Sequence, residues 1–226
     1  MRQHTFTTSP ESLFDEDLHT YANAVTLVRT VVGLALFSVA AYQHSAAWNF
    51  AGLAVYWVMD VLDGYLARAL NQETRFGAQM DILSDRFLMA FFYLNYLTWR
   101  PELASIVALF LFNFMVLDHY LSNQFMRWPI LSPNYFNLVD RRIWLLNWSP
   151  LGKFCNSGLA TILLLTARPV WLVLPVVVGL ICVKTYSCVR LHRLPPRKPR
   201  LSLAPLSEDF TPSPGIGYRW PRRESK

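Results

Sequence analysis

The chain has 226 residues, 53% of them hydrophobic and 15% aromatic, with a formal net charge of +6. That is too apolar for an ordinary water-soluble domain, and the apolar residues come in long blocks, so the composition reads as one membrane domain. No loop is long enough to hold a separate catalytic domain, which confines any chemistry to the membrane.

Residues 1–22 carry Glu11, Asp15, Glu16 and Asp17 and lack the basic start of a secretory signal or an Arg-rich presequence. Within them, 11–20 can form a short interfacial helix, capped by Ser9 or Ser12, with Leu13, Phe14 and Leu18 on one side. A disordered cytoplasmic leader fits the same composition. Six segments then approach the roughly 20 apolar residues that a spanning helix needs: 23–42, 46–69, 78–98, 102–122, 150–167 and 169–191. The expected fold is an all-α integral membrane domain of six transmembrane helices over 23–192. Arg100-Pro101 and Arg168-Pro169 predict tight turns between the third and fourth and between the fifth and sixth spans. The stretch 193–226 is rich in Pro, Ser, Lys and Arg without helical periodicity and reads as a disordered basic tail. Cys155, Cys182 and Cys188 form no CxxC pair and read as packing residues.

Cytoplasmic loops hold an excess of Lys and Arg. Only Arg100 and Arg168 fall in the loops assigned outside, whereas Arg68, Arg75, Arg127, Arg141, Arg142, Lys153 and the basic tail collect on the other side. Both termini are therefore expected in the cytoplasm, in agreement with an even number of spans. The positive charge is mostly topological and suits anionic lipid headgroups rather than nucleic acid. A bacterial cytoplasmic membrane is the default location, and apolar outer helix faces allow a homodimer.

Ionisable groups inside spans are costly and mark function. Asp60 and Asp63 lie at i,i+3 near the cytoplasmic end of the second span, and Asp81 and Asp85 at i,i+4 near the start of the third. The short link around 71–76 makes these spans an antiparallel hairpin and brings both pairs to one depth. Four carboxylates there cannot all stay ionised unless cations neutralise them. Oxygen ligands with no nearby Cys or His favour Mg²⁺ or Mn²⁺ over Zn²⁺, and four bridging carboxylates can hold two ions about 4 Å apart, an arrangement used for displacement at phosphorus. Gly64 and Gly77 permit close approach of a ligand or helix, and Arg68 can give bidentate contacts to a diphosphate. Taken singly, each of these three fits helix packing or interfacial snorkelling.

Residues 60–85 spell D-V-L-D-G-Y-L-A-R, eight residues, then G-A-Q-M-D-I-L-S-D. The stretch resembles the signature of the CDP-alcohol phosphotransferase family, D-x2-D-G-x2-A-R-x8-G-x3-D-x3-D, at every fixed position: Asp60, Asp63, Gly64, Ala67, Arg68, Gly77, Asp81 and Asp85. At average residue usage such agreement arises by chance roughly once in ten billion starting points. Asn23, Thr26 and Arg29 match the N-x2-T-x2-R of the family's first span. Gly152-Lys153 matches part of the G-K-x-K-T of glycerol-phosphate members, but Cys155 and Asn156 replace its second Lys and its Thr.

The resemblance implies that Asp60, Asp63 and Asp81 hold two metals, with Asp85 completing the cluster and serving as general base. It implies that Gly64, Ala67, Arg68 and Gly77 contact the CDP part of the donor, with Asn23 and Thr26 supporting. The implied reaction transfers a phosphatidyl group from CDP-diacylglycerol to an alcohol and releases CMP, in phospholipid synthesis. Glycerol 3-phosphate is the weakly preferred acceptor, with Lys153 the first candidate to bind it and Arg141 and Arg142 behind. An inositol phosphate, an aminoalcohol or a lipid would use the same chemistry. Asp118 and His119, inside the fourth span, either touch the acceptor or pair with Arg or Lys across the bundle. The competing reading from another class is a non-enzymatic cation-binding or transport protein, disfavoured because the acid pairs lie near one face and no broken helix or inverted repeat appears.

Overall fold

The computed structural model describes residues 20–166 and 170–195. They form helices α1 (Tyr21–Gln43), α2 (Ala46–Ala69), α3 (Arg75–Trp99), α4 (Pro101–Arg127), α5 (Arg141–Asn147), α6 (150–166) and α7 (Val173–His192), with no strand among the described residues. The interfacial helix expected at 11–20, all but its last residue Thr20, the Arg168-Pro169 turn and all but the start of the basic tail lie outside the described residues.

Local chemistry sets the helix ends. Thr20 opens α1 by accepting the Asn23 amide on its hydroxyl at 3.1 Å. His44 closes that helix in the left-handed region, φ 48°, returning its amide to the carbonyls of Ala40 and Ala41. Asn71, φ 53°, turns the chain between α2 and α3. Thr74 then caps α3 by accepting the Gly77 amide at 2.9 Å. Arg100 and Pro101 make the expected turn into α4.

Helices α1, α2, α4 and α7 are long and apolar enough to cross a bilayer, which makes this an integral membrane protein. The other two expected spans are helical but do not meet that measure. Arg75, Asp81, Asp85 and Arg86 lower the hydropathy of α3, and α6 is described only over 150–166. The helices carry their polar residues inward and their apolar residues outward. In α1, Asn23, Thr26, Arg29 and Gly33 are buried, while Leu27, Val28 and Val31 are exposed. In lipid this inversion is favourable, because the outer faces meet hydrocarbon and the polar groups find partners in the bundle.

Two apolar clusters close the ends of the bundle. The larger joins Phe37, Leu53, Phe92, Phe110, Leu164 and Val177, from the C-terminal halves of α1, α3 and α6 and the N-terminal halves of α2, α4 and α7. The smaller joins Ile82, Leu121, Phe125, Phe136, Ile143 and Trp148 at the opposite end. Gly52 allows α1 and α2 to approach, since a Cβ there would meet the Phe37 ring at 2.6 Å.

Asp140 ties the connector between α4 and α6 to α7. Its carboxylate accepts the amides of Arg142 and Ile143 and an Arg190 Nε–H at 2.8 Å. Burial opposes the charge, but the Arg190 and backbone hydrogen bonds outweigh it and hold the carboxyl below its usual range. A depressed folded-state pKa contributes stability above the unfolded value of about 4 and loses it as pH falls through the folded value. Asp140→Asn is therefore expected to melt below the wild type at neutral pH, with the two melting temperatures converging on acidification. A difference that persisted undiminished at acid pH would contradict this coupling.

Candidate functional site

Helices α2 and α3 bring the two acid pairs of the 60–85 stretch to one cavity of about 400 Å³. Carboxylate oxygens of Asp60, Asp63 and Asp81 all lie within 4.8 Å of one another. Asp63 is buried, whereas the side chains of Asp60 and Asp81 keep 41% and 40% of their surface open to the cavity side. Asp85 lies one turn deeper on α3, its side chain 18% exposed.

Arg29 enters this cluster from α1. It is fully buried, and its guanidinium pairs with Asp60, with Asp81 Oδ1 at 2.6 Å, with Asp85 Oδ1 at 3.2 Å and with Asp63 Oδ2 at 3.4 Å. The Tyr56 ring lies under it at 5.5 Å. Thr26, one turn earlier, donates its hydroxyl to Asp63 Oδ2 at 3.1 Å. Asn23 and Thr26 reach the cavity wall, while Arg29 sits among the acids.

The donor set fits divalent cations. The Arg29 guanidinium is shared by four carboxylates, with Arg86 reaching only Asp85 at 3.8 Å, and Asp85 Oδ1 is buried without a hydrogen-bond partner despite its ion pair. Every available ligand atom in the cluster is a hard oxygen.

Gly64, Ala67, Arg68 and Gly77 border the same cavity on the side toward the α2–α3 turn. Gly77 is tightly enclosed: a Cβ there would press on Asn23 Oδ1 and lie 2.9 Å from Thr74 Oγ1. Arg68 is exposed and folds back over Gly64.

On the far side of Asp85 the cavity continues between α4, α6 and α7. Lys153 reaches its rim, exposed, whereas Arg141 and Arg142 are exposed at the start of α5 and do not border the cavity. Lys153 is set by a tight corner. Ser149 caps α6 by accepting the Gly152 amide at 3.0 Å, and a Cβ on Gly152 would meet the Leu145 carbonyl at 2.8 Å. Of the two roles expected of it, Asp118 takes the pairing across the bundle, with Arg86 of α3 and with Lys184 of α7 at 2.5 Å, and it also borders the cavity. His119 instead bonds Asn123 at 3.0 Å.

Arg86 and Lys184 are site residues that reading the sequence missed. Lys184 is 2% exposed in the middle of an apolar helix, and Arg86 directly follows Asp85. Each is an ionisable group within a hydrophobic segment, the same signal that exposed the four acids. The neutral partners Asn113, Asn147 and Thr161 carried no such signal.

A family model described as CDP-alcohol phosphatidyltransferase matches residues 19–183. The chain belongs to that family. CDP-alcohol phosphatidyltransferases are metal-dependent enzymes whose substrates are CDP-alcohols and alcohol acceptors, and an acidic cluster is present in this chain. A CDP-diacylglycerol--inositol 3-phosphatidyltransferase of Drosophila melanogaster is 34% identical over 85 residues, 34% of this chain and 37% of that one. The Homo sapiens protein of the same name is 62% identical over 29 residues, 13% of this chain and 14% of that one. A putative cardiolipin synthase of Mycobacterium tuberculosis is 36% identical over 70 residues, 31% of this chain and 34% of that one. The chain thus spans about a third or less of the length of these relatives. No solved structure matches it.

Proposed function

We propose that this CDP-alcohol phosphatidyltransferase transfers a phosphatidyl group from CDP-diacylglycerol to the hydroxyl of an alcohol and releases CMP. The observation that carries the reading is the convergence of Asp60, Asp63, Asp81 and Asp85 on one cavity. It is supported by the small residues Gly64, Ala67 and Gly77 and the cation Arg68 on the adjoining wall. Six spans, a domain over 23–192 and an active site on the cytoplasmic side of a bacterial membrane belong to the same reading, on the charge asymmetry of the loops. The exposed apolar outer faces of the helices suit a bilayer and allow a homodimer.

The carboxylates of Asp60, Asp63, Asp81 and Asp85 would hold two divalent cations, Mg²⁺ or Mn²⁺, which when bound neutralise the donor diphosphate and ease the departure of CMP. Gly64, Ala67 and Gly77 let the cytidine phosphate lie close to the helix backbones, with Asn23 and Thr26 beside it. Arg68 answers its diphosphate charge. Arg29 orients the acids from behind, since it touches all four and is itself immobilised by burial. Asp85 takes the proton of the attacking hydroxyl, because it lies at the passage between the carboxylate cluster and the α4–α6–α7 part of the cavity. The hydroxyl oxygen forms a bond to the β-phosphorus, the bond from that phosphorus to the bridging oxygen breaks, and CMP leaves with the electron pair.

The reading is tested with the purified full chain in lipid nanodiscs, supplied with CDP-diacylglycerol, Mg²⁺ and a panel of alcohols. CMP release that requires both an alcohol and a divalent cation is expected. Absence of metal-dependent CMP release with every alcohol, including a lipid alcohol, would sink it.

A further inference from the structure

The acceptor half of the cavity contains two buried cations, neither available to an anion, while Lys153 stands exposed at the rim. Asp118 holds Lys184 Nζ at 2.5 Å through one carboxylate oxygen and Arg86 through the other. Arg86 is further engaged by Ser122 Oγ at 3.3 Å, by Asp85 at 3.8 Å and by the Phe114 ring at 4.7 Å. All three members of the triad are at least nine-tenths buried. Counting Asp85, the charges of the buried groups balance, two positive (Arg86, Lys184) against two negative (Asp85, Asp118), and Lys153 at the rim lies outside that count. A phosphate monoester carries about 1.5 to 2 negative charges at neutral pH. Placing it against these buried groups, below the rim that Lys153 occupies, would require the breaking of a buried ion pair, which is costly.

The neutral groups of the same wall point to a different ligand. Asn113 and Asn147 are 1% and 3% exposed, and the Oδ1 atom of each has no hydrogen-bond partner among the described residues. The orientation of Asn147 is set by its own donors, since Nδ2 gives hydrogen bonds to Ile143 O and Ser187 Oγ, both at 2.9 Å. Its oxygen is left as a pure acceptor on the cavity wall. Buried acceptors want donors. A hydroxyl group supplies one; a phosphate dianion has none to give. Thr161 lies on the same wall. Helical turns of π type at Asn113–Asp118 and Phe154–Leu159 carry Asn113, Asp118 and Asn156 onto this wall from α4 and α6, a local distortion that recurs at functional sites.

We infer that the acceptor is an uncharged polyhydroxyl compound, recognised by Asn113 and Asn147, and that Asp118 excludes phosphorylated acceptors by holding Arg86 and Lys184 in a neutral triad. The inference rests on the transferase reading of the same cavity and names its acceptor class. The reacting hydroxyl is one of several on the ligand; it bonds to the donor phosphorus as its proton passes to Asp85 and CMP leaves, and the remaining hydroxyls donate to the orphaned amide oxygens.

The deciding experiment measures CMP release by the full chain in nanodiscs with CDP-diacylglycerol and Mg²⁺, comparing myo-inositol and glycerol with inositol 1-phosphate and glycerol 3-phosphate. At least about a tenfold advantage in kcat/KM for a neutral polyol is expected, well below the discrimination of about 10⁴ that a site built around hydrogen bonds can reach. Release that depends on a phosphorylated or lipid acceptor overturns this inference and leaves the transferase reading standing; no release with any acceptor overturns both. Asp118→Asn, which frees Arg86 and Lys184, should shift the preference toward the phosphorylated compounds by about tenfold while the donor KM stays within a factor of two. An unchanged preference would remove Asp118 from the account. Where that variant fails to fold, Asn147→Leu is expected to raise the KM for the neutral acceptor by about tenfold at constant donor KM, and an unaltered acceptor KM counts against the proposal.

Discussion

Asp85→Asn is expected to lower kcat for CMP release by about 10² to 10⁴-fold, the range that positioned proton transfer contributes. The amide keeps the size and shape of the carboxyl, so the packing of α3 is preserved and its oxygen can still face Arg29, but the ion pair is lost and the amide cannot accept the acceptor's proton. Because the loss lies in proton transfer, it should persist at saturating Mg²⁺ and at saturating CDP-diacylglycerol. Asp81 differs in situation: its side chain is more open and pairs with Arg29 at 2.6 Å. A variant Asp85→Asn with full turnover would end the assignment of this residue as base.

The second large effect is expected at Arg29. This side chain is fully buried and serves as counter-charge to four carboxylates at once. Removing one partner of a buried ion pair costs about 3–5 kcal/mol, because the other charge stays behind uncompensated. Arg29→Gln should therefore melt well below the wild type when divalent cations are chelated. Added Mg²⁺ supplies the missing charge, and binding to the folded state alone stabilises by about 2.7 kcal/mol at a hundredfold excess over Kd. The variant is thus expected to gain more thermal stability from Mg²⁺ than the wild type does. Equal melting of the two proteins in chelator, or indifference of the variant to Mg²⁺, would show that the cluster is not a charge-balanced cation site.

These two residues also show how far the sequence could be read. Asp85 was legible because it lies in a helix whose i,i+4 periodicity places it beside Asp81, and because a short turn at Asn71 leaves α2 and α3 no arrangement but a hairpin. Arg29 was legible as a polar residue of α1, but its position among the acids was not. That depends on the rotation and depth at which α1 packs on the α2–α3 hairpin, which periodicity does not encode. The span count met the same limit. The carboxylates and arginines that make α3 useful to the site also take it below the hydropathy expected of a lone spanning helix.

What the sequence by itself determined is the local pattern. Apolar blocks separated by turn residues prescribe a helical membrane protein, and the spacing of eight residues over 60–85 prescribes the acid cluster and its family, since both arise from contacts between chain neighbours or across one short turn. What only the tertiary structure decided is which buried charges answer which. Arg29 meets the acids of α2 and α3, and Asp118 of α4 takes both Arg86 of α3 and Lys184 of α7. A chain in a low-dielectric bundle must pair its ionisable groups, but which helices approach closely enough to pair them is set by packing among residues far apart in sequence. The charge state of the acceptor compartment follows from that packing.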